Sequence, residues 1–348
     1  MITSNKEFDN FYWVIKLNIV IINLGYIGDV INISPVVKAL KIAYPESTII
    51  VITSPVSVIT AKCIPGVDNA IAFSRYAEHK GANIFGFALE FRKKYKTDLA
   101  IILNENFRSA LLSFLMGASK RIGRDCDGRG FLLTHKISFT EDERQQKVQV
   151  AKHYLRVLSP LNIDCSDKKP DFNVLNEDKQ KIENMLKEHN PENFKLIGLC
   201  PATGTNGNVS ISKCWNVEEA TQFIKYINTK GGYKVVIVGQ DACADFAENI
   251  RKKGLTNFID LTKKTSINEL AATLTFFEKF ISVDSAPMHL AVAVNTPVIS
   301  LFFDPNYQKW APENNLKNTF LFNKSNISSD DVIKAFENSE GIFDDRRD

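Results

Sequence analysis

The sequence predicts an α/β protein built from two doubly wound domains, and three observations carry that prediction. Short apolar runs suited to buried parallel strands recur in both halves, with amphipathic helical patterns between them. The chain has 348 residues, 44% of them hydrophobic, enough for two domains of ordinary size with separate cores. Around Lys168-Lys169-Pro170 the residues 162–176 turn polar, which reads as a linker and divides the chain into 1–165 and 166–348.

Composition narrows the function. A formal charge of +3 is too near balance for a general nucleic-acid binder. Cys63, Cys126, Cys165, Cys200, Cys214 and Cys243 are scattered, with no C-x-x-C pair, so reduced and packed thiols are expected. No stretch is long enough to span a membrane. The opening MITSNKEFDNFYWVIK mixes charge and aromatics, unlike a secretory leader. A cytoplasmic protein is expected.

In the first half, residues 16–23 (KLNIVIIN) read as a buried strand, followed by LGYIGDV. Gly25 and Gly28 bracket a tight turn, and Asp29 opens a helical pattern through Val30, Ile33, Val37 and Leu40. The turn lacks the full G-x-G-x-x-G spacing, so a nicotinamide cofactor is poorly supported. Pro35 either kinks this helix or marks a second start with Ser34. Asp29 itself is either a helix cap or a chemical group at the mouth of a strand. Further strands are expected over 48–53 and 98–103, then a helix from Asn106 to near Gly117. Arg108, Lys120, Arg121, Arg124, Arg129 and Lys136 make the following region basic. It is either a solvated cationic surface or a face for an anionic ligand. Asp125-Cys126-Asp127 forms a D-x-D pair, but it lies in a polar loop among arginines, where carboxylates pair with cations more readily than with a metal. Residues 149–161 (QVAKHYLRVLSPL) are largely an amphipathic helix.

The second half restarts the alternation. Asn176 is placed to cap a helix over 177–188, and residues 196–200 form a strand before the small-residue loop Pro201-Ala202-Thr203-Gly204-Thr205. Asn216 with Glu219 has capping-box spacing. Lys213 beside that loop suits charge stabilisation of a leaving diphosphate, the plain alternative being a surface lysine. Residues 234–238 are the next strand, ending at Gly239-Gln240-Asp241. Residues 280–302 (FISVDSAPMHLAVAVNTPVISLF) are the most informative stretch, giving strand, tight turn, short helix and strand. Ser285 can cap the helix, and Pro287 suits its first turn. A helix N-terminus is a natural seat for a diphosphate, with His289 and Ser285 placed to reach its oxygens and Asp284 to accept from a sugar hydroxyl. A capped βαβ unit carrying a surface histidine explains the same spacing. A last helix is expected over 328–337, before the polar tail GIFDDRRD.

Three strings carry a family resemblance. D-S-A-P-M-H-L-A resembles the D-T-G-P-M-H-L-A signature of the ADP-heptose:lipopolysaccharide heptosyltransferases, glycosyltransferase family 9. L-G-Y-I-G-D-V-I-N-I-S-P-V-V-K-A-L is similar to that family's N-terminal L-x-S-x-G-D-V-x-x-x-x-P-x-x-x-x-L. The segment from Asn106 resembles N-x-R-S-A-L-L-x-x-L-x-G-A-x-x-R-I-G, and Lys213 before Trp215 matches K-x-W-P with Asn216 in place of the proline. The departures at the signature are Ser285 and Ala286, where the family has Thr and Gly. The resemblance implies two Rossmann-like domains facing across a cleft, the GT-B arrangement, with a C-terminal helix that packs back on the first domain. It implies inverting, metal-independent transfer of heptose from an ADP-activated donor to a hydroxyl of a lipopolysaccharide core, with no cofactor. Asp29 is then the base. The nucleotide-sugar donor is held by Thr203, Lys213, Asp241, Asp284, Ser285, Ala286 and His289. An anionic lipid-core acceptor is held by Arg108, Arg121, Arg124 and Arg129, with peripheral contact at the inner membrane surface. Two rivals stand beside this reading. One is a transferase for another nucleotide sugar. The other is a non-catalytic nucleotide-sugar-binding protein in which Ala286 and Asn216 mark decay of the site.

Overall fold

The computed structural model describes residues 16–74, 83–166, 168–205, 208–209, 211–313, 315 and 317–338. The opening segment and the GIFDDRRD tail read above lie outside the described residues.

Six strands form the first sheet: β1 (Asn18–Asn23), β2 (Thr48–Thr53), β3 (Asn69–Ala72), β4 (Leu99–Ile102), β5 (Lys120–Arg124) and β6 (His135–Ile137). Their order is β3-β2-β1-β4-β5-β6, with every neighbouring pair parallel. The second half builds β7 (Lys195–Cys200), a small antiparallel pair β8 (Gly204–Thr205) and β9 (Asn208–Val209), then β10 (Tyr233–Ile237), β11 (Ile259–Asp260), β12 (Phe277–Val283), β13 (Val298–Phe302) and β14 (Asn318–Phe322). Its six-stranded parallel sheet runs β11-β10-β7-β12-β13-β14, the same order as the first. The two halves are therefore α/β domains of the same doubly wound type. In each, the winding reverses beside the first strand, which opens a crevice at the carboxyl ends of β1/β4 and of β7/β12.

Alternation along β1 shows why both sheet faces are covered. Ile19 and Ile21 pack with Val30, Val37, Leu40 and Leu155 on one face, while Val20 and Ile22 pack with Ala88, Phe91, Ala110 and Leu112 on the other. A fully buried strand must be apolar on both sides, which is why KLNIVIIN was legible as one. Pro35 marks a second start: a short helix Ile27–Ile31 ends, and a new helix Ser34–Ala43 begins with Pro35 in its first turn. The pattern over 149–161 divides into a helix Val150–Leu155 and a 3₁₀ segment Arg156–Leu161, because Pro160 has no N–H to extend the α-helix. Asn176 is the first residue of the Asn176–His189 helix rather than its cap, that place being taken by Leu175.

The chain crosses between the sheets along residues 162–175. There Asp171 N–H donates to Ser34 Oγ at 2.9 Å and Asn173 N–H to the Cys63 carbonyl at 2.8 Å, while Phe172 is buried in the second core. Ile31 and Cys63 of the first half also reach into that core. The last described helix, Ser329–Asn338, packs on the second domain and not on the first. Its buried Val332 and Phe336 face the Val217–Lys230 helix, with Phe336 edge-on to Phe223 and Tyr233. Ser329 N–H caps onto Glu219, so both the apolar stripe and the polar end of the helix find partners there.

Candidate functional site

The turn after β1 places Asp29 by two constraints. The Asp29 Oδ2 accepts from the Tyr26 N–H at 2.9 Å, which folds the carboxylate back over Gly25. A Cβ at Gly25 would lie 2.7 Å from that same oxygen, so only glycine admits the arrangement. The other oxygen receives the hydroxyl of Tyr154 at 3.4 Å. Tyr154 is buried, and burial, followed by the Asp29 charge, pushes its phenol far above the ordinary value. It therefore stays protonated and donates to the Asp29 carboxylate. Tyr154 lies inside an amphipathic run whose spacing explains it as core, so no sequence signal marked it.

Across the cleft, the expected strand–turn–helix after β12 is present. Ser285 caps the helix Ala286–Ala293, accepting from Met288 N–H at 3.4 Å, and its Oγ lies 2.9 Å from Ser282 Oγ. The serine is buried, so the hydroxyl expected to reach a ligand is committed to the cap. Pro287 lacks an N–H, Met288 is capped by Ser285, and His289 bonds the Ser285 carbonyl, so of these four residues Ala286 carries the N–H that the helix and its cap do not use. Ala286 is the first residue of the helix and is absent from the residues of positive φ, so a methyl group is tolerated there.

Lys213 and Asp284 meet at 2.6 Å. Lys213 ends a 3₁₀ turn, Ile211–Lys213, and the following Trp215 anchors it, with N–H to the Pro201 carbonyl at 2.8 Å and Nε1 to the Ile327 carbonyl at 2.8 Å. The K-x-W spacing thus buries the indole and leaves the ammonium in the cleft. Asn216 caps the next helix through the N–H groups of Glu218 and Glu219, so it serves the helix start directly.

His289 ties the halves together. Its Nδ1 lies 3.1 Å from Asn32 Nδ2, which also donates to the Gly28 carbonyl at 2.8 Å. With the Asn32 amide donating to Nδ1, the ring proton resides on Nε2. Burial pulls the imidazolium down, against the raising charges of Asp284 and Asp29, so the ring is neutral. Those same influences show that Asp29, from the first domain, shares one electrostatic neighbourhood with Asp284, Lys213 and His289 of the second.

A family model for Glycosyltransferase family 9 (heptosyltransferase) matches residues 90–337. The chain belongs to this family. Among its relatives, lipopolysaccharide heptosyltransferase 3 of Escherichia coli is 29% identical over 299 residues, spanning 83% of this chain and 84% of the relative. The family 9 glycosyltransferase of Veillonella parvula superposes with a TM-score of 0.81 at 22% identity, covering 93% of this chain and 98% of that one. An E. coli heptosyltransferase solved with ADP gives 0.69 at 15%, covering 93% and 98%. These structures share the GT-B fold, and the two crevices described above are its facing halves.

Not every residue expected at a family 9 site reaches the cleft. Arg124 and Arg129 are fully buried. Arg124 forms a two-pronged ion pair with Glu143, one arm at 2.9 Å, and donates to the His153 carbonyl at 2.9 Å and the Ser138 carbonyl at 3.2 Å. Arg129 donates to the carbonyls of Arg124 and Asn106, each at 2.9 Å, and of Asn104. Both are struts for the loops after β4 and β5, so neither binds an acceptor as a surface charge; a guanidinium is chosen because its planar fork satisfies several carbonyls at once. Arg121 caps the carbonyls of Leu132 and Ala118 at 2.7 and 2.6 Å and lies over Phe114. Arg108 is half-buried over the ring of Phe73. Asp241 opens the Asp241–Lys252 helix at the carboxyl end of β10 and pairs with Lys263 at 2.6 Å, two strands from β12. Thr203 lies on the loop after β7, half-buried beside Cys214. Asp127 accepts from the Phe107 N–H at 2.6 Å, and the Asp125 side chain lies against Gly130, so the D-x-D carboxylates are spent on local turns.

Sequence reasoning also missed a cavity of about 320 Å³ lined by Glu105, Phe139, Glu143, Arg144, His153 and Lys309, among others. Glu105 follows β4, and Lys309 comes from the second domain, so the cavity lies between the halves. His153 Nε2 meets Glu105 at 2.6 Å and its Nδ1 meets Glu143 at 3.1 Å. Burial would raise the Glu105 carboxyl, but the hydrogen bond and charge of His153, with Lys309 and Arg124, hold it below the ordinary value.

The buried Arg124–Glu143 pair yields a direct test. Arg124→Ala removes the two-pronged partner of a buried carboxylate that keeps only Arg156, His153 and Thr140, and breaking such a buried pair costs up to about 3–5 kcal/mol. Urea unfolding of the variant is expected to show that loss, with ADP affinity unchanged in whatever fraction stays folded.

Proposed function

We propose that this family 9 glycosyltransferase transfers heptose from ADP-heptose to a hydroxyl of a lipopolysaccharide core, with inversion at the anomeric carbon. The observation that carries the reading is the meeting of Asp29 with Lys213, Asp284 and His289 at the facing carboxyl ends of the two sheets. It is supported by the relatives named as heptosyltransferases and by the related fold solved with ADP.

In this mechanism the diphosphate takes the Lys213 ammonium, displacing it in part from Asp284, which then accepts from a sugar or ribose hydroxyl. The Ala286 N–H and the Nε2–H of neutral His289 add uncharged donors, so the charge that develops on departing ADP meets one cation and two oriented dipoles. Asp29 removes the acceptor proton as the hydroxyl attacks. Its carboxylate is held by the Tyr26 N–H and the Tyr154 hydroxyl, which fixes the lone pairs directed into the cleft. The acceptor sugar occupies the cavity between the halves, where Glu105 accepts from ring hydroxyls and Lys309 supplies a charge from the donor domain. Thr203 lines the donor loop, and Asp241 stands at the outer end of the nucleotide crevice. Among the described residues no helix is long and apolar enough to cross a membrane. The acceptor is lipid-anchored, so the enzyme works at the cytoplasmic face of the inner membrane.

Asp29→Asn keeps the cap geometry but removes the base. Turnover with purified ADP-heptose and core acceptor is expected to fall roughly 10²–10⁴-fold while calorimetric ADP binding persists. Turnover near that of the wild type would sink the assignment. Tyr154→Phe removes one long hydrogen bond to the Asp29 carboxylate, at 3.4 Å and on the order of 0.5–1.5 kcal/mol, and turnover should drop only about 2–10-fold. A loss as large as that of Asp29→Asn would place Tyr154 in the proton transfer itself.

Lys213→Ala should weaken ADP by roughly 1–3 kcal/mol, the scale of one charge-assisted contact. Titrating ADP into the variant checks this, and unchanged affinity would move the diphosphate elsewhere.

A further inference from the structure

The helix Phe107–Leu115 packs one face on the first sheet through Ala110, Leu112 and Ser113. Its opposite face is apolar as well. Phe107, Leu111 and Phe114 fall at i, i+4 and i+7, a single stripe along the helix. Phe114 is 49% exposed and Phe107 38%, and Phe131, at 73%, extends the stripe with its ring 6.1 Å from that of Phe107. Three phenyl rings in a row on solvent exceed the scattered apolar exposure of an ordinary surface. No ring of the stripe is needed for the core beneath, which Leu112 and Ala110 already fill.

The surroundings indicate what covers it. Arg121 lies over Phe114 at 5.4 Å, and Lys120 precedes it in the same strand. From the adjoining helix Ile84–Lys94, the Arg92 guanidinium rests against Gly117, just past the end of the stripe, and Lys94 follows it. Among the acids around the stripe, Glu90 pairs with Lys93 and Asp127 accepts from the Phe107 N–H. A second copy of the chain docking by this face would set cation against cation. An anionic lipid surface, in contrast, offers negative headgroups to the arginines and an acyl boundary to the phenyl rings. The stripe also starts two residues beyond Glu105, at the rim of the cavity between the domains.

We propose that the Phe107–Phe114 stripe, with Phe131 and the flanking Arg92 and Arg121, is the surface by which this protein sits on an anionic bilayer. This rests on the reading of the acceptor as a lipid-anchored glycan. The aromatic rings enter the headgroup boundary, the cations bind headgroup phosphates, and the cleft mouth is held at the height of a glycan rising from the same leaflet.

Cosedimentation of the full chain with vesicles of phosphatidylcholine, alone or mixed with phosphatidylglycerol, tests it. Binding is expected to the mixed vesicles and to weaken as salt is raised, since exposed attractions are screened within about 10 Å at roughly 0.1 M. The F114S/F131S variant should bind the mixed vesicles on the order of 10-fold less. Phe131→Trp, which only enlarges an exposed ring, should show a blue-shifted emission on adding mixed vesicles. Equal binding by F114S/F131S, an unshifted tryptophan, or loss in that variant of a concentration-dependent dimer would each overturn the proposal. Transfer to a deacylated, water-soluble core acceptor should be unchanged in F114S/F131S, while transfer to the same core embedded in vesicles falls. Wild-type protein that binds the vesicles but transfers to neither acceptor would overturn the heptosyltransferase reading and leave the surface standing.

Discussion

The site depends on one close contact between the domains, the packing of His289 against the first turn after β1. Gly28 makes it possible: a Cβ there would lie 3.0 Å from His289 Cδ2 and 3.7 Å from Ala286 Cα. With no side chain in the way, the Ile27–Ile31 helix lies on the N-terminal turn of the Ala286–Ala293 helix. Asn32 then reaches His289. That bond fixes the imidazole tautomer, seats Asp29 opposite Lys213 and Asp284, and buries Ile31 in the second core. Gln149 Nε2, donating to the Ala311 carbonyl at 2.9 Å, and the Lys152–Glu313 pair at 2.5 Å add further polar links across the seam, as is common in interfaces within a chain.

Charge is divided between the two sides of this seam by solvent access. In the second domain, Lys213 and Asp284 are both partly exposed, so under the proposed reading exchanging Asp284 for a diphosphate would cost Lys213 little desolvation. In the first domain, Arg124, Glu143 and Arg129 are sealed. Burial would raise the Glu143 carboxyl, but the Arg124 and Thr140 hydrogen bonds and the Arg124 and Arg156 charges outweigh it and hold it ionised. The result is a rigid polar frame behind the cavity. Through the Glu143–His153–Glu105 chain, that frame positions a carboxylate that does face the opening. Removing a member of the sealed set acts on the fold, whereas Lys213 and Glu105 are partly exposed and open to the cleft and the cavity.

Two departures from the family's motifs, Ala286 and Asn216, have local physical answers. At position 286 the backbone is already helical, so the methyl of alanine costs nothing in φ. At position 216 the asparagine side chain supplies two capping acceptances where a proline would only pre-set the backbone. Neither removes a group that faces the cleft.

The sequence by itself determined the central strands of both sheets, the helix start at Asn106, the caps at Asn216 and Ser285, and the turns that carry Asp29 and Asp284. Each of these is a local matter, of an apolar run buried on both faces or of a side chain satisfying a backbone N–H within three residues. Shorter outer strands such as β5, with the sequence KRIGR, and β11, of two residues, escaped because they have too few apolar positions to show a period. Only the tertiary structure decided which arginines are surface and which are struts. A guanidinium reads the same in sequence whether it meets water or the carbonyls of Asn104, Asn106 and Arg124. It also decided that Tyr154 touches Asp29 across 125 positions of chain and that Lys309 shares a cavity with Glu105. Those contacts arise from how two sheets of the same winding are set face to face, and no local spacing encodes that angle.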